Sequence, residues 1–124
     1  TPVLFTSKAD RRLLAEAPKD GHLHMIDVGS GKVLYSKPMT RTFNTDAPII
    51  AAGTRFCPGS QGGAEWNSPA YDPTDNLIFT GEVDWCTTVR AAPADAIANS
   101  PTGQPWSGSP DGFGKQDDTR QWAG

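Results

Sequence analysis

The sequence predicts an all-β fold of short antiparallel strands, and three observations carry that expectation. Hydrophobic residues make up 36% of the 124 positions, against 13 Gly and 11 Pro, the composition of a turn-rich chain with a thin core. Short β-prone runs recur with turn residues between them. The only two cysteines, Cys57 and Cys86, bracket a segment holding a glycine-rich turn, a Trp and a hairpin signal.

The first four runs cover residues 3–6, 13–17, 23–27 and 33–37, with turn signals over 8–11, 18–21 and 28–32. Strands in such close succession pair antiparallel, so residues 1–40 are expected to form a four-stranded meander. A unit of that size matches one propeller blade, which ordinarily buries both faces against neighbouring blades.

A connection over 38–52, containing Pro48, leads into the cysteine-bounded segment. Strands are expected near 66–71, 77–82 and 85–89. Between the first two, Asp72, Pro73, Thr74, Asp75 and Asn76 form a well-equipped turn, with Pro presetting φ and Asn tolerating left-handed backbone. Residues 41–92 therefore read as part of a second blade. At their separation the two cysteines can close a loop whose cross-link stabilises the fold by about 3 to 4 kcal/mol on the chain-entropy model, and a pair used that way implies an oxidising compartment.

Residues 93–124 are dense in Pro, Gly, Ser and Asp. They predict a long irregular tail with at most a short helix near 93–98, ordered only if something packs on Trp106, Phe113 and Trp122. The chain starts without Met inside a strand-like run and stops at 121–124 with no closing element, so it is expected to be a piece of a longer protein.

Several functions are excluded. A net charge of −3 gives no basic field for nucleic acid or an anionic membrane. No apolar run reaches the roughly 20 residues that span a bilayer, and no stretch has the order of a signal peptide. There is no Cys-x-x-Cys and no Cys-x-x-Cys-His, which removes a zinc ribbon, a thioredoxin-like site and a covalent haem. Gly31 and Lys32 mimic the end of a phosphate loop, but Val33 stands where Ser or Thr is required. Ser60 lies in Gly-Ser-Gln-Gly, which is not a nucleophile elbow. His22 and His24 share a strand face at a spacing that can hold a metal, yet no third ligand is evident and a solvent-facing pair is the favoured reading. Asp117 and Asp118 read as a solvated charge cluster.

The run PKDGHLHMIDVGSGKVLY (18–35), followed by RFCPGSQGGAEWNSPAYDP and DWCTT, closely resembles the quinoprotein alcohol dehydrogenases, eight-bladed propeller enzymes that use pyrroloquinoline quinone (PQQ). The resemblance covers most of the chain and is looser in the tail. It implies a partial β-propeller, about one four-stranded antiparallel blade (1–40) plus part of a second, disulfide-bounded one (41–92), with a long irregular C-terminal tail (93–124). Propellers of this kind carry a blade-docking repeat of Ala, Asp, Gly and Trp, which appears here in degenerate form as Met25, Asp27, Gly31 and Tyr35. Gly31 serves as the turn residue after Asp27, and Tyr35 replaces the docking Trp as a flat amphipathic body. A plain hairpin with a glycine turn accounts for the same residues.

The resemblance also implies two cofactor contacts and a pairing. Lys19, just before the turn glycine, takes the position of a basic residue that points at the ortho-quinone oxygens, where a fixed cation favours the electron-rich reduced form; without the resemblance it is an ordinary solvated charge. In GGAEWN, Gly62 and Gly63 let the backbone approach a planar ligand, and Glu65 and Trp66 follow at its edge. Glu65 stands where alcohol-oxidising relatives often have Asn. A carboxylate beside an acidic quinone repels it unless a cation intervenes, so Glu65 faces Lys19 or a metal, or is simply solvated at a strand edge with Trp66 filling the core. The family pairs cysteines in the positions of Cys57 and Cys86.

The family's catalytic Asp and its calcium ligands lie upstream of the matching region and are absent here. Loss of a general base typically costs ~10²- to 10⁴-fold in rate, so the segment alone is expected to be inactive. The expectation is a piece of a periplasmic dehydrogenase that oxidises a small alcohol, sugar or polyol with PQQ and Ca²⁺, meeting the membrane only through its electron acceptor. The competing expectation is a non-catalytic propeller-repeat scaffold or a module that self-associates through exposed strand edges.

Overall fold

The computed structural model describes residues 1–64 and 67–123, with side chains as far as Asp117. In chain order the elements are β1 (Val3–Thr6), β2 (Arg12–Glu16), β3 (His22–Asp27), β4 (Lys32–Pro38), β5 (Thr54–Phe56), β6 (Ala70–Asp72), β7 (Leu77–Phe79), β8 (Gly81–Val89), α1 (Ala94–Ala98) and β9 (Lys115–Ala123). They form a four-stranded sheet in the order β1-β2-β3-β4, a three-stranded sheet β5-β8-β9 and the hairpin β6-β7. The all-β, partial-propeller expectation holds.

The first sheet is the expected antiparallel meander, its strands starting and ending within one residue of the runs read from sequence. Val3 pairs with Ala15, Ala15 with Met25 and Met25 with Tyr35. Because side chains alternate across a strand, Val3, Phe5, Leu13, Ala15, Leu23 and Met25 fall on one face. Ala15, Leu23 and Met25 are buried there, and Ala64 and Ile78 from the second unit close over them. The Phe5 and Tyr71 rings stack at 4.0 Å, tying β1 to β6. On the opposite face Leu4 pairs with Leu14 and Leu14 with Ile26, and Leu4 is 54% exposed. Both faces are thus apolar, and the described residues cover one.

Asp27 closes the β3-β4 turn. Its carboxylate accepts from Arg11 Nη2 at 2.8 Å and from the Ser30 amide and hydroxyl at 2.9 and 2.8 Å, and these donors, Arg11 first, lower its pKa to about 2. Gly31, at φ +69°, donates its N–H to the Asp27 carbonyl at 2.8 Å. Tyr35 is half-exposed on β4 and lines an open groove of about 710 Å³ with Leu23, Met39, Leu77 and Ile78.

The second unit is irregular and tied by specific links. The Cys57–Cys86 disulfide is present, with Cα atoms 4.5 Å apart. Glu82, Asp84 and Cys86 alternate into the interior along β8. Asp84, fully buried, accepts from Arg41 Nε at 2.8 Å and from the Arg41 amide at 3.1 Å, fixing the connection to β8. A bulge opposite Trp85, with the extra residue on β9, interrupts the β8-β9 register, and Gly59 N–H bonds the Trp85 carbonyl at 2.7 Å.

Several expectations require correction. The strands foreseen at 77–82 and 85–89 are divided differently: β7 ends at Phe79, and β8 runs without a break from Gly81 to Val89, the bulge opposite Trp85 absorbing the irregularity. The strand foreseen over 66–71 is observed only as β6. Asn76 does take left-handed backbone, at φ +59°, in the foreseen hairpin turn. The tail carries the short helix α1 and is irregular to Gly114, but 115–123 then form β9 along β8. Trp106 and Phe113 do not supply the foreseen aromatic packing, being 42% and 68% exposed, and the Trp122 side chain lies outside the described residues. Bidentate pairs fasten the tail: Arg90 to Asp111 at 2.6 Å, and Arg55 to Asp117 at 3.0 and 3.1 Å. Asp117 is therefore paired with Arg55 while its side chain remains 41% exposed, and the Asp118 side chain lies outside the described residues.

Candidate functional site

The two units meet at the turn between β2 and β3, and that junction holds Lys19. The turn over 18–21 closes by a bond from Gly21 N–H to the Pro18 carbonyl at 3.3 Å. Residues 62–64 lie against it: Gly63 N–H donates to the Lys19 carbonyl at 3.0 Å, and Ala64 N–H to that of Pro18 at 3.4 Å. Behind them Val83 N–H on β8 bonds the Gly63 carbonyl at 2.7 Å. On the turn's other flank Met39 and Thr40 donate to the Gly21 carbonyl at 2.8 and 3.2 Å. The backbone of the Lys19 turn is thus fixed from two sides while its side chain stays exposed.

This contact explains the double glycine. A Cβ at Gly62 would stand 2.6 Å from Lys19 Cα, and one at Gly63 would stand 2.5 Å from Gly21 Cα. The approach these glycines permit is to the protein's own turn, which corrects the expectation that they clear space for a planar ligand. Ala64 then plugs the core of the first sheet.

Titratable groups cluster around the turn. Asp20 accepts from the His22 amide at 3.0 Å, and its other oxygen lies 2.7 Å from His24 Nε2. His22 Nδ1 is 3.0 Å from the Asp20 carbonyl, and the two imidazoles stack at 6.0 Å. The histidine pair is therefore organised by Asp20. Among the described residues no group of three or more His, Cys, Asp or Glu is placed to hold a metal ion.

Glu82, which the sequence reading passed over, sits beneath the junction and is 4% exposed. Its Oε1 accepts from the Thr80 hydroxyl at 3.1 Å, and its Oε2 has no partner among the described residues. Burial, with a smaller contribution from Asp20, pushes its pKa up. Thr40 Oγ1, beside Gly21, and Trp85 Nε1 are likewise buried without partners among the described residues. A signal for Glu82 exists in the sequence, because with Cys86 buried the strand period places Asp84 and Glu82 on the same inward face.

Of the residues singled out from sequence, Lys19 lies at the junction and Cys57 and Cys86 form the cross-link behind it. Asp27 and Gly31 lie at the far end of the first sheet, and Tyr35 lies mid-strand on β4 opposite Met25. Glu65 and Trp66 fall outside the described residues.

No protein-family model and no curated protein sequence matches the chain. Solved structures do. A europium-containing methanol dehydrogenase superposes with a TM-score of 0.72 at 17% identity, over 88% of this chain and 22% of its own length. A quinohemoprotein alcohol dehydrogenase from Pseudomonas putida superposes with a TM-score of 0.60 at 18% identity, over 85% of this chain and 17% of its own. The fold is that of a segment of these dehydrogenases, and the chain spans about a fifth of their length.

Proposed function

We propose that the chain is a segment of a quinoprotein dehydrogenase that oxidises an alcohol, sugar or polyol with PQQ, supplying one side of the cofactor pocket and not the catalytic base. The observation that carries this reading is the Lys19 turn, an exposed cation on backbone held rigidly against residues 62–64. The likeness in fold to an alcohol and a methanol dehydrogenase supports it.

The donor set fits the cofactor. PQQ, when bound, supplies a two-electron acceptor for hydride. Lys19 would hold an electron-rich quinone oxygen, and a cation fixed before the reaction stabilises negative charge without reorganising during it. Glu65 and Trp66 are proposed as further contacts. Calcium is assigned to blades outside the chain. Asp27, Gly31 and Tyr35 would dock the first blade onto one neighbour, and the apolar Leu4, Leu14 and Ile26 face, on the other side of the sheet from Tyr35, would be buried against another. The disulfide supports an oxidising compartment, which for such an enzyme is the periplasm. Without the base, the segment alone does not turn over alcohol.

The test is titration of the chain, joined to the remaining blades, with PQQ and Ca²⁺, followed by dye reduction with primary alcohols and sugars. A saturable absorbance change with alcohol-dependent dye reduction is expected; neither one appearing would overturn the reading.

A self-associating, non-catalytic module has one observation in its favour. All seven residues of the outer strand β4 are exposed, Val33, Leu34 and Tyr35 among them, and an open edge invites pairing. Light scattering separates the two, since self-association requires a dimer or larger species of the isolated chain.

A further inference from the structure

We propose that Glu82 is a buried acid whose protonated carboxyl latches the Lys19 turn to β8, and that removing its proton loosens the contact between the two sheets. This inference does not depend on the bound cofactor.

The geometry supplies the argument. Glu82 is 4% exposed, and the one side chain that bonds it among the described residues, Thr80, is as deeply buried and electrically neutral. Ionised, the carboxylate would place charge on Oε2, which has no donor among the described residues. A buried charge without a partner costs far more than a buried neutral acid. The neighbours deepen the preference. Asp20, on the turn that packs over Glu82, adds a negative field, with Lys19 beside it on the same turn and Asp20 itself bridged to His24. Across the sheet, β9 places Trp122 at the register position of Glu82. Desolvation accordingly raises the pKa of the group.

The position gives that proton a consequence. A Cβ at Gly63 would stand 3.0 Å from Glu82 Oε2, so the carboxyl touches the residue whose carbonyl takes the Val83 amide and whose amide meets Lys19. Charge at Oε2 therefore acts on the bond pair that joins β8, residues 62–64 and the turn. The native state binds this proton more tightly than the unfolded chain does. Its stabilising contribution is then full below the ordinary glutamate value, about pH 4, and is lost as pH rises through the folded value.

Chemical unfolding of the whole chain across pH, wild type against Glu82→Gln, tests this. Glutamine keeps the shape of the neutral acid. The variant should match wild type at about pH 4 and exceed it increasingly as pH rises, with slower amide exchange at Gly63 and Val83 on the alkaline side. Parallel pH profiles, or a variant less stable than wild type at alkaline pH, would overturn the proposal. A second measurement needs no variant. In wild-type protein with ¹³C-labelled glutamate, the Glu82 carboxyl should titrate above the ordinary glutamate value, about pH 4, and titration at or below that value would equally overturn it.

Discussion

Residues 1–40 and 41–92 fold by different means. The first sheet is held by apolar alternation and short turns: its neighbours in space are neighbours in sequence, and its interior is Ala15, Leu23 and Met25. The second unit has little such regularity. Among the described residues its largest fully buried side chains are Thr87, Asp84 and Cys86, and it is fastened by a disulfide, an ion pair across 43 residues and backbone contacts to the first sheet. The difference teaches that an irregular segment holds a defined shape when a few long-range links replace a hydrophobic face, and that each such link then carries a large share of local stability.

If so, breaking a link should damage the second unit and spare the first. Replacing Cys57 and Cys86 by Ala should have the largest effect, about 3 to 4 kcal/mol by urea unfolding, with amide protection lost in β8 before β3. Asp84→Ala comes next at about 2 to 3 kcal/mol, since the lost bonds are charge-assisted while the partly exposed Arg41 regains water. Gly63→Ala should cost about 1 to 3 kcal/mol, because the Cβ meets backbone of the 18–21 turn, and it should weaken protection on both sides of the junction. The smallest effect belongs to the first sheet. Asp27 is held ionised by Arg11 and Ser30, with its pKa lowered to about 2, so its contribution is present above the ordinary carboxylate range and is lost as pH falls through that value. Arg11→Ala should narrow this acid-side loss, as read from thermal midpoints at low pH.

Legibility in the sequence followed the same division. The four strands of the first sheet could be read because a period-two pattern is local. β5 and β9 could not, because both pair with β8 from a distance, and the β9 sequence KQDDTRQWA has the polar composition of a loop. The disulfide was legible as an available cross-link from the two cysteines alone, and the family resemblance supported their pairing. Lys19 was correctly placed on a turn, but the reason for Gly62 and Gly63 was missed, since a glycine that admits a ligand and one that admits another stretch of backbone look alike in one dimension. Glu82 was hidden for a related reason. An acidic residue in a strand reads as surface until Cys86 fixes which face is buried.

The central claim is that the junction between these two regions presents Lys19 to a quinone. The most direct measurement compares PQQ affinity of the proposed dehydrogenase, this chain joined to its remaining blades, with that of its Lys19→Ala and Lys37→Ala variants, Lys37 being an exposed cation on β4. Loss of a charge-assisted contact at Lys19 should weaken binding by about 10- to 100-fold, with Lys37→Ala unchanged. Equal affinities for wild type and Lys19→Ala would contradict the account.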